Sequence, residues 1–524
     1  MKYTVKSKYL VFPTSPKADN KKLQFIHQGK IVYELKMRLE NNKPEFFAYI
    51  DISRFIGKEL ELVCDVQELI FRETETIDLE DIYKEKYRPH VHFSTKSGWI
   101  NDPNGLVYLN GLYHLFYQYN PAGTYWSNMH WGHAVSSDLI HWKELDIALF
   151  PDDAGKAFSG CGFIDHNNIL GLKRNENETA ILYYTATTPF SQHMLVSTDN
   201  FVTIQRYKDG PVVPPIGNTS SRDPKVIYCD ELDCFIMALY VDKSDYTIYK
   251  STDLVNWEHF FDYTLEGEIE FPDIMKFKTQ DGSNKYVFTS NTDHYIVMSV
   301  KNGTFVIENS LKPLFHGSKN HAPISYYNSP DNRCIRMIWI ATADPIDGSY
   351  YGMPFSGQII ALEYFLEQID ETFYLCAQPV KEIETLYTDS KIYNNVEISE
   401  TAFSKTLDNS SYLVKLKGKA ANNEVMEMSL FGVDLEIDFT ANEIRYPTGN
   451  RSCPILVTGN TFDMTLILDS CTFELFADGG KSCMYGLIPK SKIDSASPSI
   501  FLKAHSEKYQ LDLIEIHSLK SIWE

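Results

Sequence analysis

A short motif returns at spaced intervals and limits the architectures open to this 524-residue chain. Ser136-Ser137-Asp138-Leu139-Ile140-His141-Trp142 is echoed by Ser197-Thr198-Asp199-Asn200-Phe201 and again by Ser251-Thr252-Asp253-Leu254-Val255-Asn256-Trp257. A looser echo follows at Ser299-Val300-Lys301-Asn302-Gly303. Each copy follows a strand-like run, and the copies lie roughly 50–60 residues apart, near the span of a propeller blade. No long amphipathic helix separates them. A chain of this length exceeds one ordinary core, so two or three domains are expected. The repeat predicts that the largest is a β-propeller of about five blades, ahead of unrelated β-turns in a large sandwich.

The flanks carry short alternating strands instead. Ile31-Val32-Tyr33-Glu34-Leu35-Lys36-Met37 and Leu60-Glu61-Leu62-Val63-Cys64 alternate apolar and polar residues, which predicts a small β-sandwich before the propeller. A charged run, 78–87, leads into Arg88-Pro89-His90 and reads as the linker. Beyond about residue 385, Thr465-Leu466-Ile467-Leu468-Asp469 and Thr472-Phe473-Glu474-Leu475-Phe476-Ala477 predict a second sandwich. The expected division of this all-β chain is 1–83, 84–385 and 386–524.

The net charge of -21 argues against nucleic acid or an anionic membrane as partner and leaves a neutral substrate open. The nine cysteines lack zinc-ligand spacing and read as core thiols in a reducing compartment. Neither a metal nor a cofactor is called for. The segment Met1-Lys2-Tyr3-Thr4-Val5-Lys6-Ser7-Lys8 has no apolar region of the secretory kind, so a cytoplasmic location is expected. Composition leaves a homo-oligomer open.

Candidate chemistry lies in three carboxylates. Trp99-Ile100-Asn101-Asp102-Pro103-Asn104-Gly105 reads as a tight turn, followed by a hairpin folded about Asn110-Gly111. Asp102 is thereby expected on a rigid turn at the mouth of a strand pair. Asp223 stands between Arg222 and Lys225, two cations expected to favour its ionised form. Glu270 is flanked by Ile269 and Phe271, whose apolar surface would favour a neutral carboxyl suited to a general acid. A propeller brings distant residues to the mouth of one channel. An ionised Asp with a protonated Glu is the equipment of a retaining glycosidase. His114, His130 and His133 read as hydrogen-bonded core groups, and Trp142 and Trp257 as blade packing.

Those three blocks, in that order, resemble the invertase–inulinase–levanase family, glycoside hydrolase family 32. The likeness continues through Gln118-Tyr119-Asn120-Pro121, Trp126-Ser127-Asn128-Met129-His130-Trp131-Gly132-His133 and Phe158-Ser159-Gly160. Gln378-Pro379-Val380-Lys381-Glu382-Ile383 is similar to the family's exit from the propeller. Thr472–Gly480 is similar to its sandwich signature, and the N-terminal region to the extra domain of some bacterial levanase-like members.

The resemblance implies a five-bladed propeller with a sandwich, hydrolysing β-fructofuranosides such as sucrose, fructo-oligosaccharides, levan or inulin with retention. It implies that Asp102 is the nucleophile, Glu270 the acid/base, and Asp223 the transition-state stabiliser with Arg222 alongside. Asn101, Gln118, Trp126, Phe158 and Ser159 would line the fructosyl pocket. Two departures stand out. Phe271 occupies the place where the family usually has Cys, and Trp339–Pro345 supplies no clear counterpart of a second pocket-lining Trp, for which Tyr350 or Tyr351 could substitute. The competing functions are a fructosyltransferase of the same fold, a non-catalytic carbohydrate-binding protein, and an arabinan- or xylan-active propeller enzyme.

Overall fold

The computed structural model describes residues 1–317, 321–341, 353–400, 402–408, 410–419, 424–455, 461–495, 499–505 and 509–524. Among these, the middle of the chain forms five antiparallel meanders, one after another. The first blade is Gly98–Leu109, Leu112–Asn120, His130–Ser136 and Trp142–Glu144. The second is Ala157–Asp165, Thr179–Thr187, Phe190–Ser197 and Gln205–Arg206. The third is Arg222–Cys229, Cys234–Asp242, Asp245–Ser251 and Glu258–Thr264. Asp273–Lys278, Asn284–Thr289, His294–Lys301 and Thr304–Ile307 make the fourth. Ile324–Ser325, Cys334–Ile340, Gln358–Ile369 and Thr372–Pro379 make the fifth. The first strand of each blade touches that of the next, and Ile324–Ser325 touches Gly98–Leu109, so the ring closes. This is the propeller that the repeat predicts.

The repeated motif has a physical job. In three blades it forms the turn from the third strand to the fourth. Ser136, Ser197 and Ser251 each donate Oγ–H to the Asp two residues on, at 3.0, 2.9 and 3.0 Å. The Asp carboxylates in turn accept backbone N–H groups of the turn. Such side-chain caps satisfy backbone donors that leave the ladder. The fourth blade turns at the same place with Asn302-Gly303, both at positive φ, and Ser299 instead donates to Glu308. Trp142 and Trp257 pack against the propeller core, as expected of blade residues.

The flanking units are sandwiches. Residues 2–74 form a four-stranded and a three-stranded sheet around Leu10, Phe12, Phe25 and Leu35. Residues 387–519 form two six-stranded sheets, whose strands alternate buried and half-buried residues as in Val425–Leu430 and Val433–Asp438. That alternation is the period of a strand with one face on a core.

Both joints to the propeller are polar and buried. The Asp469 carboxylate accepts the N–H groups of His90 and Val91 at 2.7 and 3.2 Å and lies 2.9 Å from His92 Nδ1. Glu474 stands 3.6 Å from the opposite ring nitrogen, and burial pushes its carboxyl up to about 7. The segment expected as a linker is packed rather than free. Arg88 is fully buried, held by Glu85 and the Thr95 carbonyl and lying against the Phe355 ring. Tyr83 stacks on Trp523 with ring centres 3.9 Å apart.

Candidate active site

Asp102, Ser159 and Asp223 are the fifth, third and second residues of innermost strands and Glu270 stands three residues before another, all toward the strands' N-terminal ends. Those ends gather at one mouth of the propeller axis, around a pocket of about 290 Å³. All nine residues singled out in the sequence line it: Asn101, Asp102, Gln118, Trp126, Phe158, Ser159, Arg222, Asp223 and Glu270.

The local fold around Asp102 differs from the expected turn. Gly98–Leu109 is one continuous strand, and its register with Leu112–Asn120 slips between Ile100 and Pro103 and again between Asn104 and Val107. Pro103 cannot donate to a ladder, so the chain relieves the mismatch by bulging. The bulge, not a turn, aims the carboxylate. The hairpin itself is where the Asn-Gly pair predicts it, with Asn110 and Gly111 at φ 50 and 82.

A second bulge, between Phe158 and Gly160, brings Ser159 against Asp102. Its Oγ–H donates to Asp102 Oδ2 at 2.7 Å. Asn104 ties the two strands by accepting the Gly160 N–H at 3.2 Å. A Cβ on Gly160 would fall 1.9 Å from the Tyr183 carbonyl oxygen. Gly160→Ala is therefore expected to cost about 2–3 kcal/mol, because the clash is with backbone that must shift. Chemical denaturation measures it, and an unchanged midpoint would show that the strand tolerates the contact.

Asp223 is held from two sides. Its N–H donates to Thr185 Oγ1 at 3.0 Å, and its Oδ2 accepts the Phe271 N–H at 3.2 Å. Thr185 is itself fixed by its hydroxyl donating to Gln192 Oε1 at 2.7 Å. Asp223, Glu270 and Phe271 adopt left-handed φ values of 63, 57 and 51. Strained backbone of this kind persists where the surroundings over-determine it, and it clusters at functional sites.

The electrostatics correct two expectations. Lys225 points away from Asp223, with Nζ 3.1 Å from Asp273 and donating to Ser325 Oγ at 2.7 Å. Of the two cations, it is Arg222 that faces Asp223, with Nε 3.7 Å from Oδ2. Burial outweighs that cation and pushes Asp223 up to about 7, with the Glu270 and Asp102 charges adding to the rise. Asp102 is likewise raised by burial to about 6, against hydrogen bonds from Ser159 and Asn101. Around Glu270 the apolar enclosure does not form. Ile269 is exposed and Phe271 turns into the core. The carboxylate meets Arg222 Nη2 at 2.6 Å and Asn291 Nδ2 at 3.5 Å instead. Arg222 also lies over the Tyr240 ring at 4.6 Å, which fixes its plane.

The pocket also contains Trp99, Met129, Asn291 and Trp339, which sequence reasoning did not single out. Trp339 packs on Trp99 with ring centres 5.7 Å apart. It supplies the second aromatic wall for which no counterpart was evident. Tyr350 and Tyr351 lie outside the described residues. The histidines are core groups as expected: His114 Nδ1 and His133 Nε2 are 3.1 Å apart, and burial lowers both rings.

The model for the N-terminal domain of glycosyl hydrolases family 32 matches residues 92–359. The chain belongs to glycosyl hydrolase family 32. A levanase of Bacillus subtilis (strain 168) is 28% identical to this family-32 chain over 491 residues, 84% of the chain and 72% of the levanase. An invertase of Schizosaccharomyces pombe is 36% identical over 35% of the chain and 34% of its own length. The exo-inulinase of Aspergillus awamori superposes with a TM-score of 0.72 at 22% identity, covering 84% of the chain and 100% of the inulinase. The last likeness establishes the fold alone. As a member of the family, the protein is a glycoside hydrolase.

Proposed function

We propose that the protein is a retaining β-fructofuranosidase that releases terminal fructosyl units from sucrose, fructo-oligosaccharides or fructans. The observation that carries this reading is the convergence of Asp102, Asp223 and Glu270 in one small pocket walled by Trp126, Phe158 and Trp339. Relatives named levanase, invertase and fructan β-fructosidase support the choice of sugar.

In this reading Asp102 attacks the anomeric carbon while Glu270 protonates the departing oxygen. Glu270 then takes a proton from water, which hydrolyses the fructosyl–Asp102 ester. Ser159 orients the nucleophile through its 2.7 Å hydrogen bond. Asp223, whose carboxyl burial raises to about 7, faces the fructosyl hydroxyls and hydrogen-bonds to them. Arg222 bridges Asp223 and Glu270 and keeps their spacing. Asn101, whose Oδ1 accepts the Trp99 indole N–H at 2.8 Å, and Gln118, anchored on the Ala157 carbonyl at 2.9 Å, present their remaining polar atoms to the sugar.

The test is fructose release from sucrose, a fructo-oligosaccharide, inulin and levan, with the anomeric configuration of the first product followed by NMR. Release of α-fructofuranose, or none from any fructoside, would refute the reading. A dominant trisaccharide product at high sucrose would mean transfer to sugar rather than water.

The pH profile follows from the nucleophile. Only ionised Asp102 attacks, so kcat/KM is expected to fall as pH drops below about 6. Ser159→Ala removes a hydrogen bond that favours the carboxylate. The acid limb should therefore move to higher pH, and a limb that stays put would separate Ser159 from Asp102.

A further inference from the structure

The contact between the propeller and the C-terminal sandwich holds ionisable side chains shut away from water. His92 comes from the segment that enters the propeller, and Asp469 and Glu474 from the hairpin of sandwich strands Thr461–Leu468 and Thr472–Ala477. All are buried, Glu474 completely. His92 Nδ1 lies 2.9 Å from Asp469 Oδ2 and donates its proton to that carboxylate. The other ring nitrogen, Nε2, faces Glu474 Oε2 at 3.6 Å. Among the described residues, neither Glu474 oxygen has a hydrogen-bond partner. The Thr472 hydroxyl, which accepts Gln358 Nε2 at 2.7 Å, is the least of the influences on Glu474.

This geometry sets the proton count. Nε2 and Oε2 are both acceptors unless one of them holds a proton. With one proton between them the contact is attractive, either as imidazole accepting from a carboxyl or as imidazolium donating to a carboxylate. With none, the ring turns a lone pair on a buried carboxylate, and the Asp469 charge stands behind it. Water offers little relief. The cavity beside the pair, about 20 Å³, holds about one molecule, and its other walls are apolar residues such as Phe93, Ile140 and Ile359. Two more ionisable groups adjoin the cluster. Cys471 is fully buried, which keeps its thiol neutral, and the His90 ring bonds outward to Ser410, with Nδ1 3.0 Å from Oγ.

We propose that His92, Glu474 and Asp469 form a proton-dependent latch between propeller and C-terminal sandwich, closed while Nε2 and Oε2 share a proton and loosened when it leaves. Burial works against a charged His92, but the Glu474 and Asp469 charges outweigh it and hold the ring above its usual value. Burial pushes the Glu474 carboxyl up to about 7. Burial also opposes ionisation of Asp469, and the hydrogen bond and charge of His92 overcome it and hold that carboxyl below its usual range. The two upward shifts give stability that is present below the unfolded values and lost as pH rises through the folded ones. The latch therefore weakens on the alkaline side of neutrality. It is independent of the sugar that the pocket accepts.

Hydrogen exchange reads the joint directly, because the His90 and Val91 N–H groups donate to Asp469. In the full-length protein, protection of these amides, corrected for their intrinsic rates, is expected to fall roughly 10-fold between about pH 6 and pH 8.5, the effect of one proton shifted by about one pH unit. Glu474→Gln brings its own N–H to Nε2 and needs no shared proton, so the fall should flatten in that variant. His90 is common to both proteins, and the difference between them therefore reports Glu474. An equal fall in Glu474→Gln overturns the latch. So does wild-type protection that is independent of pH, a result that stands however the variant folds.

Discussion

Asp102→Asn is expected to lower kcat on sucrose or a fructo-oligosaccharide by roughly 10³–10⁵-fold while leaving the fold in place. The amide keeps the shape and can still accept the Ser159 hydroxyl, but it has no electron pair able to form the fructosyl ester. Stability should move the other way. Burial raises the Asp102 carboxyl to about 6, above its value in an unfolded chain. A group shifted in that direction stabilises the fold below its unfolded pKa and loses that contribution as pH rises through the folded one. At pH of about 8 the ionised Asp102 therefore costs stability, and its neutral replacement should melt at the same or a higher temperature. Activity near that of the wild type would remove Asp102 as nucleophile. A large fall in melting temperature would show that the carboxylate holds the pocket together.

The same acids show how far the sequence could be read. Signals carried by a few adjacent residues came through. Asn110-Gly111 predicts a hairpin because both residues must take positive φ, and they do. The Ser-x-Asp echoes predict blades because each closes the same turn with the same side-chain caps. The convergence of Asp102, Asp223 and Glu270 follows once the repeat is accepted, since each lies toward the N-terminal end of an innermost strand.

What failed depends on direction and depth, which neighbours in sequence do not encode. Asp102 was expected on a turn because Asn, Asp, Pro and Gly favour turns, yet the ladder absorbs them as bulges. Lys225 lies two residues from Asp223 on a strand whose pleat should put both on one face, but the register slips between Arg222 and Lys225. The lysine goes instead to a buried network with Asp273, which also binds Arg336 from the fifth blade at 3.0 Å. Ile269 is adjacent to Glu270 and still points to solvent. Trp339 and Asn291 come from the fifth and fourth blades, and nothing in their local sequence marks them for the pocket. Only ring closure places them there.

Glu270→Ala is expected to lose about 10²–10⁴-fold on sugars with poor leaving groups, and small anions should restore part of the loss. Glu270 serves twice in the retaining scheme, protonating the leaving oxygen first and deprotonating water second. A fructoside with a good leaving group needs no proton in the first step, so the fructosyl–Asp102 ester still forms. Without a base, that ester waits for water. Azide needs no deprotonation and can enter the space vacated by the carboxyl, beside Arg222, which paired with Glu270 at 2.6 Å. Its nitrogen forms the new bond to the anomeric carbon as the bond to the Asp102 oxygen breaks, and the carboxylate leaves with that electron pair. Each step inverts the centre, so the product should be β-fructosyl azide, identified by NMR. Rescue should be absent in Asp102→Asn, which forms no ester to intercept. An α-configured azide, or full activity without Glu270, would mean that nucleophile and acid/base are assigned to the wrong carboxylates.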